Sequence, residues 1–257
     1  MLKDKVVLIS GASSGIGAWT AALLAEKGAI PILTGRNRAR LEEEARRIKG
    51  KCAYYVMDVT KQEQIDQTVE AIIRKYGKID ILLNNAGYGQ FESFADMPAE
   101  SFSAMMDTNY MGIVRCVKAV LPQMLKRGSG HIVNIASMAG KIPSAKSTSY
   151  TATKHAVLGF TNSLRMEMRP LGIAVSAVNP GPIDTAFFTL ADPSGSYVSN
   201  VRWFMMKPRY VAKKIVSVME RRKEEVDLPL AAAIGIKLYG IVPRFADRVF
   251  GGLFNRK

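Results

Sequence analysis

The chain has 257 residues, 48% hydrophobic and 23% charged, which excludes a disordered polypeptide and suits one large α/β domain with a substantial core. The formal net charge of +14 is scattered, with no aromatic-interleaved basic stripe, so nucleic-acid binding is not expected. Only two cysteines occur, Cys52 and Cys116, which excludes a disulfide framework; no metal-ligand spacing is found, so no metal is expected, and no uncharged apolar run reaches the roughly 18 residues of a spanning helix.

In chain order, residues 5–10 (KVVLIS) read as a buried strand that begins too close to Met1 to leave room for a signal peptide, which points to the cytoplasm. A helix over 15–27 ends at Gly28, a strand covers 30–34, and a charged helix over 38–49 stops at Gly50. A strand over 53–57, a helix over 62–76 ending at Gly77 and a strand over 79–83 (IDILL) follow. Then come a long helix around 102–126, a strand over 131–136, a helix over 150–169 and a strand over 173–178. Continuous apolar strands alternating with helices predict a parallel sheet covered on both faces, a doubly wound Rossmann-type architecture forming one domain over 1–257. Right-handed crossovers bring the strand ends to one side, where such folds bind ligands. Beyond Pro180 the periodicity loosens: 182–206 reads as a mobile segment, 209–222 as a helix, and 228–257 as an apolar extension punctuated by basic residues.

The turn between the first strand and first helix holds Gly11, Ser13, Ser14, Gly15, Ile16 and Gly17. A tight turn needs residues without a Cβ where backbone meets phosphate, and the helix start offers free N–H groups and a positive dipole end to a pyrophosphate. An NAD site normally carries an acidic residue at the end of the second strand. Here the chain reads Thr34-Gly35-Arg36-Asn37-Arg38, with no carboxylate. Arg36 is the candidate clamp for a 2′-phosphate, with Asn37 beside it and Arg40 a further candidate, so the expected cofactor is NADP(H); a solvated helix face is the other reading of Arg38 and Arg40.

Tyr150 and Lys154 are four apart on a predicted helix and so share a face. A neighbouring ammonium is expected to lower the phenol's pKa, making Tyr150 a general acid/base. Ser137 follows the strand at 131–136, Asn84-Asn85-Ala86-Gly87 follows the fourth strand, and Asn109 sits inside the long helix, where asparagine usually has a reason to be.

Together these segments resemble the short-chain dehydrogenase/reductase family, in order and spacing, over about residues 5–185. The matching regions are Gly11–Gly17, Asp58-Val59, Asn84–Gly87, Asn109, Ser137, Tyr150 with Lys154, and Asn179-Pro180-Gly181; the leading departure is Ser10, where the family usually has threonine. The resemblance implies that Tyr150 protonates the substrate oxygen, Ser137 orients it, Lys154 lowers the tyrosine's pKa and holds the nicotinamide ribose, and Asn109 anchors a water for proton resupply. It further implies adenine contacts from Asp58 and Val59, a ribose contact from Asn85, and carboxamide contacts from Ile183 and Thr185.

The same resemblance makes 186–206 a substrate lid. Its Phe187, Phe188, Leu190, Tyr197, Trp203, Phe204, Met205 and Met206 suit an apolar carbonyl or alcohol substrate. A homo-oligomer, dimer or tetramer, is the family default. The alternative activity is that of a 3-oxoacyl-carrier-protein reductase, with Arg127 and Arg169 docking an acidic acyl-carrier protein. In the extension, 244–254 would place Phe245, Val249 and Leu253 on one face of a basic helix. That fits either a membrane-surface contact or an oligomer interface or pocket flap. A binding or regulatory protein that uses the fold without turnover is the non-enzyme alternative.

Overall fold

The first strand shows how the layers form. All four residues of β1 (Val6–Ile9) are buried. Successive side chains point to opposite faces, so Val7 and Ile9 enter one core while Val6 and Leu8 enter the other. The computed structural model describes residues 2–229. Its other strands are β2 (Ile30–Gly35), β3 (Ala53–Val56), β4 (Ile81–Asn84), β5 (Gly130–Ile135), β6 (Ile173–Pro180) and β7 (Glu225–Leu228). They form one parallel sheet in the order β3-β2-β1-β4-β5-β6-β7. This is a Rossmann fold, and its strand order reverses between β1 and β4, the crevice where such sheets bind ligands.

In chain order the helices are α1 (Gly15–Glu26), α2 (Arg38–Arg47), α3 (Gln62–Tyr76), α4 (Ala99–Met106), α5 (Gly112–Arg127), α6 (Thr148–Met168), α7 (Phe187–Ala191), α8 (Ser196–Val201) and α9 (Pro208–Arg221). One core lies beneath α1, Leu41 of α2, and α9, through Leu24, Val211, Ile215 and their neighbours. The other lies beneath α3, α5 and α6, through Ile65, Ile72, Val117, Val120 and Val157. Glycines in the left-handed region stop α3 at Gly77 and α5 at Gly128, where a residue with a Cβ would be strained.

The elements expected from periodicity are present, mostly with ends shifted by a residue or two. Three differences have physical causes. The long helix is divided by a π turn over Asp107–Met111 that carries Asn109. The segment expected to be mobile is organised by α7, α8 and a 3₁₀ turn, helices too short to show periodicity. Its two ends are tied together, because Asp184 N–H donates to the Met206 carbonyl (3.0 Å) and Met206 N–H to that of Pro182 (2.9 Å).

The third difference is β7, which periodicity missed because Glu225 and Asp227 interrupt its apolar pattern. Both acids are satisfied: Lys141 Nζ lies 2.6 Å from each, and Asn179 Nδ2 donates to each at 2.7 Å. This ties the turn after β5 to the last two strands. Lys141→Ala would leave two partly buried carboxylates facing each other and should cost about 3 kcal/mol. Urea unfolding checks this; a loss below about 0.5 kcal/mol would mean that water replaces the ammonium.

Candidate active site

A cleft of about 970 Å³ opens at the carboxyl ends of the strands. Gly11, Ser13, Ser14, Gly15 and Ile16 form its floor. No side chain caps α1 at Ser14, which leaves the first N–H groups of the helix for a ligand oxygen. Gly11 has φ of 66°, and a Cβ there would stand 2.8 Å from Ala86 Cα. Gly17 belongs to the same turn. It does not line the cleft: a Cβ on it would collide with the Gly11 carbonyl and stand 2.7 Å from Asn85 Nδ2, so its role is close packing.

Asn85 braces this turn as well as lining the cleft: its Nδ2 donates to the carbonyls of Ser10 (3.0 Å) and Gly11 (2.8 Å). Ser10 completes the brace, its hydroxyl accepting from Asn85 N–H (3.0 Å) and Ala86 N–H (3.1 Å). The hydroxyl that replaces threonine's therefore joins the ends of β1 and β4 across the crevice.

Arg36 and Asn37 line the cleft where β2 ends, and Arg40 lines it as well, whereas Arg38 does not. Asn37 Oδ1 accepts from Arg40 N–H at 3.0 Å and so caps α2, fixing the helix that presents Arg40. Asp58 and Val59 line the adjoining wall; Asp58 Oδ1 accepts from both the N–H and the hydroxyl of Thr60 at 2.9 Å. Ile183 and Thr185 line the opposite side, with Thr185 Cγ2 placed 3.6 Å from where a Gly15 Cβ would be. Glycine turn, helix start and paired guanidiniums fit a dinucleotide with an additional phosphate.

Ser137, Tyr150 and Lys154 meet on the cleft wall between β5 and α6. Ser137 Oγ donates to the Pro180 carbonyl (3.3 Å) and accepts from Ala139 N–H (3.1 Å). Burial pushes the Tyr150 phenol up to about 12, against a hydrogen bond from Ser137 that pulls it down. The Lys154 ammonium donates to the Ile135 carbonyl at 2.9 Å and stands 5.6 Å from the tyrosine ring centroid, and burial outweighs the expected depression. Spacing placed the pair correctly but could not weigh burial against charge.

Lys154 is only 6% exposed, and burial lowers its pKa to about 8. Below pH 8 the folded chain therefore bears the full cost of a buried ammonium, on the order of 3 kcal/mol. Between pH 8 and 10.5 the unfolded chain holds more protons than the folded one, so this penalty fades as pH rises. Lys154→Met should raise Tm by roughly 2–6 °C at pH 7, after allowance for the orphaned carbonyl, with the gain shrinking toward pH 10. Thermal melts at the two pH values check this, and an equal gain at both would assign the effect to packing.

Asn109 is fully buried and does not line the cleft. Its Oδ1 accepts from Tyr88 N–H (2.9 Å), while its Nδ2 donates to the Tyr88 carbonyl (2.8 Å) and Thr153 Oγ1 (3.2 Å). The side chain thus clamps the loop after β4 onto α6.

The lid's Phe187, Phe188, Leu190, Tyr197 and Phe204 line the other end of the cleft, while Trp203 is 84% exposed and Met206 is buried. Sequence reading missed Tyr88, Gly89 and Phe91, whose only signal was that they follow a strand-end loop. Arg127 and Arg169, the proposed carrier-docking pair, sit at the opposite edge of the sheet, just before β5 and β6 begin. Arg127 donates to the Ile79 carbonyl at 2.8 Å and Arg169 pairs with Glu224, so neither presents a free cation beside the cleft. The expected membrane or interface helix at 244–254 lies outside the described residues, as does residue 230 onward of the extension. Among the described residues no helix is long and apolar enough to cross a membrane, and no group of three or more His, Cys, Asp or Glu could hold a metal.

A family model described as short chain dehydrogenase matches residues 5–193. An uncharacterized oxidoreductase of Staphylococcus saprophyticus is 43% identical over 188 residues, covering 72% of this chain and 80% of the relative. A short-chain dehydrogenase from Streptomyces avermitilis superposes with a TM-score of 0.84 at 27% identity, covering 97% of both chains. An actinorhodin polyketide ketoreductase variant solved with NADPH superposes at 0.79 and 28% identity, covering 88% of this chain and 95% of that one.

Proposed function

The chain belongs to the short-chain dehydrogenase family of oxidoreductases, and on that premise we propose that it is an NADP(H)-dependent enzyme interconverting an apolar carbonyl compound and its alcohol. The observation that carries this reading is the convergence of Tyr150, Ser137 and Lys154 on one cleft with the glycine turn and Arg36. Two structural neighbours support the choice of cofactor, since one was solved with NADPH and another, an alcohol dehydrogenase from Thermococcus sibiricus, with 5-hydroxy-NADP.

Gly11, Ser13, Ser14, Gly15 and Ile16 would hold the pyrophosphate, Arg36 and Arg40 the 2′-phosphate, and Asp58 and Val59 the adenine side. Lys154 and Asn85 would face the ribose, with Ile183 and Thr185 on the carboxamide side. Bound NADPH would supply the hydride. Tyr150 then gives its proton to the carbonyl oxygen, and Ser137, which lines the same wall of the cleft, orients that oxygen. A phenol held near 12 is fully protonated at neutral pH, which is the state that reduction needs. Reduction should therefore hold a level rate below about pH 8, where Lys154 begins to lose its proton, while alcohol oxidation, which needs the phenolate, should climb as pH rises.

The test is a panel of aldehydes, ketones and acyl thioesters, followed by loss of NADPH absorbance. Turnover of uncharged ketones or aldehydes is expected; silence across the panel would contradict the reading.

A further inference from the structure

We propose that the substrate is an aromatic carbonyl compound, bound against a cluster of rings that includes the catalytic phenol, and that Gly89 is the specificity residue that lets this cluster close. The proposal rests on the oxidoreductase reading above and names the substrate class for that site. Phe91, from the loop after β4, stands 5.9 Å from Tyr150 at an interplanar angle of 70°. Phe187, from α7, stands 5.7 Å from Tyr150. Tyr197, from α8, meets Phe91 edge-on at 5.0 Å. All of these separations lie in the range where ring pairs attract beyond the area they bury.

Three separate segments thus bring rings around the phenol, although Leu190, Ile142 and Met138 also line the cleft. Among the described residues the cluster is unfinished on one side. Phe91, Tyr150, Phe187 and Tyr197 all line the cleft and all are only half-buried. A ligand ring would complete the cluster with further edge-to-face pairs; an aliphatic group would fill the same space without them. Charge agrees with this assignment. Among the described residues, the Arg, Lys and Asp side chains that line the cleft are Arg36, Arg40, Asp58 and Lys154, on the dinucleotide wall, so these residues offer no ionic partner at the lid end to a phosphorylated or carboxylate substrate.

Gly89 is required for space. A Cβ there would stand 2.7 Å from Phe187 Cζ and 3.3 Å from Tyr150 Cδ2. Any side chain would push Phe187 off the phenol.

The test compares acetophenone with cyclohexyl methyl ketone, which match in heavy atoms and differ in ring saturation. One ring pair is worth about twofold to tenfold, so kcat/KM for the aryl ketone should exceed the other by about fivefold or more. Calorimetric Kd values for the two ketones on the NADPH-loaded protein should show the same preference, independently of turnover. Phe187→Leu should lower the ratio by removing a ring, and Gly89→Ala should lower it by displacing one. Equal kcat/KM and Kd for both ketones, or a ratio unmoved in both variants, would overturn the inference and leave the carbonyl reductase standing. Tighter aryl binding without NADPH oxidation by any carbonyl would support the ring site and sink the oxidoreductase reading instead.

Discussion

Tyr150→Phe should lower kcat/KM for carbonyl reduction by about 10²–10⁴-fold while changing NADPH affinity less than about threefold. The substitution removes one oxygen and keeps the ring, so the edge contacts with Phe91 and Phe187 persist. What disappears is the proton donor and the partner of Ser137. Ser137 cannot take over, because an aliphatic hydroxyl is a far weaker acid than a phenol. Folding is not expected to suffer, because the ring and its packing contacts are kept. Stopped-flow binding of NADPH alongside steady-state turnover separates the two effects. A variant retaining more than a tenth of its turnover would remove Tyr150 from the chemistry.

Arg36→Asp should weaken NADPH binding by about tenfold to a hundredfold and leave NADH binding nearly unchanged, narrowing or reversing the preference. A hydrogen bond to a charged group contributes about 1.5–3 kcal/mol, and one decade of affinity corresponds to about 1.4 kcal/mol. The new carboxylate would also repel the 2′-phosphate, and in NADH it would meet a ribose hydroxyl that it can accept from. Arg40 limits the loss, because it lines the same wall on a helix capped by Asn37. Arg40→Ala alone should therefore cost less, about threefold to tenfold. Fluorescence titrations with both dinucleotides measure these values. An unchanged ratio in Arg36→Asp would place the phosphate elsewhere.

What the sequence disclosed follows from how locally each feature is encoded. Tyr150 and Lys154 were legible because one helical turn fixes their spacing, and Gly11–Gly17 because a turn between strand and helix is local too. The fold was legible because strands buried on both faces, such as Val6–Ile9, read as unbroken apolar runs. Properties that depend on surroundings were not. Burial, which no spacing reveals, raises Tyr150 where a neighbouring ammonium promised to lower it. Asn109 and Asn85 were recognised as special, but their partners, Tyr88 and the carbonyls of the glycine turn, lie far off in the chain. Gly89 and Phe91 carried no local signal, since their significance arises only where the lid meets them. In β7 the two acids that obscured the strand are the ones that bond it to Lys141 and Asn179.

The most direct measurement follows one atom. NADPH with both hydrogens at nicotinamide C4 replaced by deuterium should be incubated with the protein and a ketone for a single turnover, and the product alcohol examined by mass spectrometry. Deuterium on the carbinol carbon, with the hydroxyl proton drawn from solvent and the transfer lost in Tyr150→Phe, is the expected result. Alcohol formed without the label, or labelled product formed equally well without the phenol, would contradict the account.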